Sequence, residues 1–329
     1  RRVHGDVHSL MEEMLQEKLQ NYGFFRIILK SLKVLLSQKK LYAQLAISLL
    51  LPFSIVFLTY NWVWYVTFDN VLSDEDSLTY KKIYLFLLAN LACVSILIPL
   101  AFFWIAASIY AVACAFSNKS ITFRNIIHSV PKIWKRLAVT YLWIRFLIFF
   151  LDAVVVGLLF CLSLGWKHMV PFWRVLLLVI IFVFYALGTV YIITLWGIAS
   201  VVSVLEDVYG RKSIVRAKKL VRGKIVVAGV YVVLLVASVV GIEVMEGLLV
   251  VFSRLNIGLR VLIGVVCVGL FLLALLVAPV FQSILYLVCM SYHQQAVDLR
   301  LLSDHLEAYR GPYLHLQEAS IEMDRVQRV

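Results

Sequence analysis

The chain has 329 residues, of which 63% are apolar and only 15% are charged. That composition leaves too little polar surface to cover a water-soluble body, so a soluble globular enzyme or binding module is excluded. The 31 Lys and Arg outnumber the 19 Asp and Glu, for a formal net charge of +12; this suits anionic lipid headgroups or nucleic acid, and the placement of the cations decides between them.

Residues 1–40 begin polar and become amphipathic, with Phe24, Phe25, Ile27, Ile28, Leu32, Leu35 and Leu36 interleaved with Arg26, Lys30, Lys33, Lys39 and Lys40. This spacing predicts a helix lying on a membrane surface. No short apolar core with a cleavage site precedes it, so the first span is expected to act as an uncleaved signal. That span, 41–66, carries Pro52 and ends in Tyr60, Asn61, Trp62, Trp64 and Tyr65, an aromatic belt of the kind found where a helix leaves hydrocarbon. The following loop is acidic, with Asp69, Asp74, Glu75 and Asp76.

The second span, 83–115, is longer than one bilayer requires and is expected to tilt, to bend at Pro99 or to project beyond the membrane. The next stretch, SNKSITFRNIIHSVPKIWKRLAV, repeats the N-terminal device: Phe123, Arg124, Ile126 and Ser129 stand where Phe25, Arg26, Ile28 and Ser31 stand before the first span. Spans at 137–165 and 175–205 follow, joined by a short connection. Between Glu206 and Lys224 lies a hinge with seven cations, Arg211, Lys212, Arg216, Lys218, Lys219, Arg222 and Lys224, among which Ile214, Val215 and Leu220 form a third copy of the device. Spans at 225–252 and 261–291 complete the membrane domain, 41–291. The tail, 292–329, is polar, with Leu299, Leu302, Leu306 and Leu314 spaced for a helix and disorder expected toward its end.

The predicted fold is therefore all-α and polytopic: six transmembrane helices as three hairpins, each preceded by a basic amphipathic cytoplasmic helix. Of the basic residues, 24 fall on one face of this arrangement and six on the other, which places both termini in the cytoplasm.

The segment SVVSVLEDVYGRKSIVRAKKLVRGK, at the end of the fourth span, resembles a large, poorly characterised plant family of multi-pass transmembrane proteins sometimes labelled polyadenylate-binding-protein-binding. The resemblance covers all six spans. More remotely, the order acidic residue, Gly turn, basic helix, Arg-Gly is similar to the membrane domain of bacterial glycerophosphodiester phosphodiesterases. This implies architecture only, because the soluble catalytic domain of those enzymes has no counterpart in the chain. Neither family implies active-site residues or a cofactor.

Charges inside spans point to a candidate polar site. Arg145 and Asp152, seven apart, share a face of the third span, and Glu243 and Glu246 share a face near the outer end of the fifth. They read either as a path for a proton, ion or headgroup or as interhelical clamps, with the glutamates reaching toward Arg254 or Arg260. No zinc-protease, phosphate-loop or nucleophile-elbow pattern occurs. His293 and Asp298 have the His-x-x-x-x-Asp spacing of glycerolipid acyltransferases but lack that family's partner blocks, and His168 reads as an interfacial histidine. Cys93, Cys114, Cys161, Cys267 and Cys289 lie apart within apolar runs, so neither a disulfide framework nor a metal site is expected. Glycines at 157, 165, 188, 197, 241, 247, 258, 264 and 269 are expected to let helices approach closely.

The expected function is that of a non-enzymatic membrane organiser or adaptor. Its basic surface helices, the hinge cations above all, bind anionic lipid, its hinge or tail recruits cytoplasmic proteins, and nucleic acid is not expected as a partner. The alternative is a transporter or channel for a small solute or lipid, using Arg145, Asp152, Glu243 and Glu246. The endoplasmic reticulum or the plasma membrane is the expected location.

Overall fold

A computed structural model describes residues 23–60, 79–116, 123–164, 171–206, 208–251 and 256–293. All regular elements among these residues are helical. The physical cause is the apolar length of the runs: hydrocarbon supplies no partner for backbone N–H and C=O groups, and a helix bonds them within one segment.

In chain order, α1 is Phe24–Ser37 and α2 is Lys39–Tyr60, α2 containing a π-helical turn at Ala46–Leu50. Pro52 cannot donate to the carbonyl of Ser48, and the wider turn just before it accommodates the missing bond. Then come α3 (Thr79–Phe116), α4 (Phe123–Leu164), α5 (Pro171–Leu205) and the short α6 (Arg211–Val221). The chain continues in α7 (Ile225–Glu246), which runs into a second π turn at Gly247–Val251, and α8 (Ile257–Tyr292).

Six of these helices are long and apolar enough to cross a membrane: Lys39–Tyr60, Asn90–Cys114, Ile133–Ser163, Phe172–Leu205, Ile225–Leu249 and Ile257–Tyr292. Their number is that of the expected spans. The expected aromatic belt at 61–66, the acidic loop, the outer connections with His168 and Arg254, and the tail with Asp298 lie outside the described residues.

The three basic segments do not fold alike. The first is cut from its span at Gln38 (φ −113°, ψ 37°), and the third by a turn over 222–224. The second is not a separate helix: α4 runs for 42 residues through Pro131 and the cations into the span. The polar run Ser37-Gln38-Lys39-Lys40 and Gly223 interrupt the first and third copies. The second passes from Lys135-Arg136 straight into Leu137 with no helix-breaking residue between.

The chain forms two compact units. One contains residues 135–234 and 285–296, and in it α6 packs along α5. Its buried residues cluster where α5 ends, with Ile198, Ala199, Val201, Val202 and Val204 all enclosed. At Gly188, α5 passes so close to α4 that an added Cβ would lie 3.1 Å from Leu151.

The other unit contains residues 28–134 and 235–284. In it Phe57 stacks on Phe271 with ring centroids 5.0 Å apart, against buried Ile242 and Cys267. The Trp104 indole N–H donates to the Leu275 carbonyl at 3.3 Å. Leu275 lies four residues before Pro279, which has no N–H to give, so α3 satisfies an acceptor that α8 leaves open.

Candidate functional site

The hinge is built by one carboxylate and two glycines. The end of α5 is buried up to Leu205, and Glu206 follows immediately. The Oε1 of Glu206 accepts a hydrogen bond from the Tyr286 hydroxyl at 2.8 Å, and its Oε2 pairs with Arg216 Nε at 3.3 Å. Arg216 also brings Nη2 to 4.0 Å from the Met290 sulfur. A single side chain therefore ties α5, α6 and the last turns of α8 together. The ion pair is half-buried, and at that exposure such a pair is worth about 1 kcal/mol.

Gly210 turns the chain into α6 with φ +66° and ψ −135°, and its N–H donates to the Thr140 hydroxyl at 2.9 Å. A Cβ on Gly210 would meet Val139 and Trp143 of α4 at 3.3 and 3.4 Å. On α6, Ser213, Ala217, Leu220 and Val221 are buried, and the Ser213 hydroxyl donates to the Ala199 carbonyl at 3.0 Å. After α6, a Cβ at Gly223 would overlap the Tyr292 ring, and Lys224 Nζ stands 5.6 Å from the centre of that ring. His293 closes the far side. Its Nε2 is 3.1 Å from the Leu220 carbonyl, and since a carbonyl only accepts, this nitrogen carries the proton.

The seven candidate lipid-contact cations are thereby sorted. Arg211, Lys212, Lys218, Lys219 and Arg222 are exposed along one side of α6 and its end, whereas Arg216 and Lys224 are half-buried and engaged with Glu206 and Tyr292. The apolar residues of α6 divide as well: Leu220 and Val221 pack inward and Val215 is exposed. As a result α6 presents mainly charge.

Helix α1 has a different build, with three faces roughly a third of a turn apart at 100° per residue. Ile27, Ser31 and Leu35 are buried; Phe25, Leu29, Leu32 and Leu36 form an exposed apolar stripe, with Phe25 78% and Leu36 72% accessible; Arg26, Lys30 and Lys33 occupy the third face. One face is held by the protein, and the remaining two pair grease with charge.

The four residues of the candidate polar site are divided between the two units. Arg145 and Asp152 belong to the first unit, Glu243 and Glu246 to the second. Arg145 is exposed and Asp152 half-buried, and among the described residues neither makes an ion pair or a side-chain hydrogen bond. A direct bridge from Arg145 to Asp152, one form of the clamp reading, is absent among the described residues. A charge near the centre of a span costs on the order of 3 kcal/mol even where snorkelling or a water defect relieves it. Glu246 is buried at the end of α7, just ahead of the π turn, and its Oε2 has no partner among the described residues, while Glu243 is half-buried.

Among the described residues no group of His, Cys, Asp or Glu is placed to hold a metal, and the five cysteines are free. The carboxylate of Glu206 was visible in the sequence only as the acidic residue before a Gly turn. Tyr286, Thr140 and Tyr292 gave no signal, because each lies in or beside an apolar run and its partner is far along the chain. No curated protein and no solved structure matches the chain. A family described as a domain of unknown function, DUF8558, matches residues 11–326, and the chain belongs to that family.

Proposed function

We propose that this multi-pass membrane protein is a non-enzymatic organiser or adaptor that gathers anionic lipid at its basic surface helices, in the endoplasmic reticulum or the plasma membrane, with both termini cytoplasmic. The observation that carries this reading is the three-faced α1, which sets an exposed apolar stripe beside Arg26, Lys30 and Lys33. A helix of that build lies in the interface with its apolar side among the acyl chains and its cations among the headgroups. The five exposed cations of α6 extend the same chemistry, each worth on the order of 1 kcal/mol near an anionic surface.

Thermal unfolding of the purified full chain in neutral detergent tests this directly. Added phosphatidylserine should raise Tm by a few degrees and phosphatidylcholine should not, since a ligand that binds only the folded state stabilises it. The effect should fade between 0.1 and 1 M salt, where the Debye length falls from about 10 to about 3 Å. Replacing Arg26, Lys33, Arg211, Lys212, Lys218, Lys219 and Arg222 together with Gln should remove most of the serine-lipid shift while leaving the unliganded Tm nearly unchanged, because none of the seven is buried. Equal shifts with both lipids, insensitive to salt and to the substitutions, would sink the proposal.

A further inference from the structure

The two spans of the middle hairpin are the least enclosed of the six. In α4 and α5, 6% and 0% of the most apolar stretch is buried, against 17 to 39% in the other four. Lipid alone satisfies a face of that kind when it is wholly apolar, and the face of α4 is not. Leu142, Arg145, Phe149, Asp152 and Val156 alternate at spacings of three and four, which places them on one stripe with the 3.5-residue period of helix pairing. Leu142, Phe149 and Val156 are 66, 69 and 64% accessible, so the two charges stand inside an open apolar seam.

Neither charge reaches an interface along its own helix. Arg145 lies nine residues beyond Arg136 in an unbroken helix, about 13 Å deeper at 1.5 Å per residue, and Asp152 lies twelve residues short of Leu164, about 18 Å away. A second copy of the chain does not solve the problem. Copies in one membrane share an orientation, so a symmetric pair across this face sets Arg145 level with Arg145 and Asp152 level with Asp152, and like charges meet.

We propose that this face of α4 docks a transmembrane helix of a different protein, one that carries an acidic side chain level with Arg145 and a basic side chain level with Asp152. Opposite charges at matched depth neutralise both groups where water is absent. Leu142, Phe149 and Val156 supply the packing seam around them. This surface is independent of the lipid-binding faces of α1 and α6, and either proposal stands if the other fails.

The test uses the full chain in cells, tagged for energy transfer, with single-span polyleucine helices inserted parallel to α4 as probes. One probe carries Asp at the depth of Arg145 and Lys seven residues later; a second carries the two in reverse order; a third carries neither. The wild-type chain should associate with the matched probe about tenfold more than with the reversed or neutral ones. The Arg145→Asp, Asp152→Arg chain should exchange that preference. The probe series on the wild-type chain decides the question even where the reversed chain fails to fold. Equal association with all three probes, association with none, or transfer between two differently tagged copies of the chain equal to that with the matched probe would each overturn the proposal.

Discussion

At Gly210 the backbone takes φ +66° with ψ −135°, a combination open to glycine and strained for any L side chain. Replacement by Ala should cost about 1–3 kcal/mol, seen as a lower Tm of the full chain in detergent. Asn gives no relief, because the left-handed region it tolerates has ψ near +47°, far from this value. A neighbouring Val139→Ala clears the space a new Cβ would enter, so a full rescue of Gly210→Ala by Val139→Ala would assign the cost to crowding and not to the backbone. The turn itself was legible, since a Gly between two spans and ahead of a basic helix is a recognisable breaker. The purchase of Glu206 on Tyr286, 80 residues later, was not: a tyrosine in the run Leu285-Tyr286-Leu287 carries no mark that distinguishes it from its apolar neighbours. The same holds for the glycine list, in which Gly188 faces Leu151 closely while Gly157, Gly241, Gly258, Gly264 and Gly269 have open space where a Cβ would go.

Among elements, the spans were readable from apolar length and the pairings between them were not. Length is a local property, whereas the bond from Trp104 to Leu275 joins helices 171 positions apart and exists because Pro279 withholds a donor. That dependence makes a prediction that an ordinary tertiary contact would not. Trp104→Phe removes the indole N–H and leaves the Leu275 carbonyl without a partner, at a cost of about 1 kcal/mol. Pro279→Ala restores a backbone N–H in the helix, and in that background Trp104→Phe should cost much less. A double-mutant cycle on Tm in detergent reads the coupling; equal losses in the two backgrounds would mean that the indole matters for packing alone. The division of the basic repeat follows the same local-versus-distant rule. The repeat was visible as residues, but whether each copy bends away from its span depends on a breaker, present at Gln38 and at Gly223 and absent between Trp134 and Val139.

For the whole molecule, the in-span charges were plain in the sequence because Arg145 and Asp152 interrupt an otherwise apolar run, but what surrounds them was not. Their exposure on α4 is a matter of tertiary packing, which the local run does not encode. Orientation, by contrast, rests on charge placement, since Lys and Arg resist translocation while the intervening spans do not. The basic residues collect before α2, between α3 and α4, around α6 and after α8, and in our proposal these segments are the cytoplasmic ones. Asn118-Lys119-Ser120 is the one Asn-x-Ser/Thr sequence in the chain, and it falls in the connection between α3 and α4. Glycosylation machinery works only on the translocated side, so this asparagine should remain unmodified when the protein is made in a eukaryotic membrane. Moving the acceptor tests the other face: a sequon inserted in a lengthened connection between α4 and α5 should be glycosylated. A glycosidase-sensitive mass shift on the wild-type chain that disappears in Asn118→Gln would invert the orientation. It would also carry the basic faces of α1 and α6 away from the anionic cytoplasmic leaflet, removing the electrostatic basis of the lipid-binding proposal in the cell even if purified protein still bound phosphatidylserine.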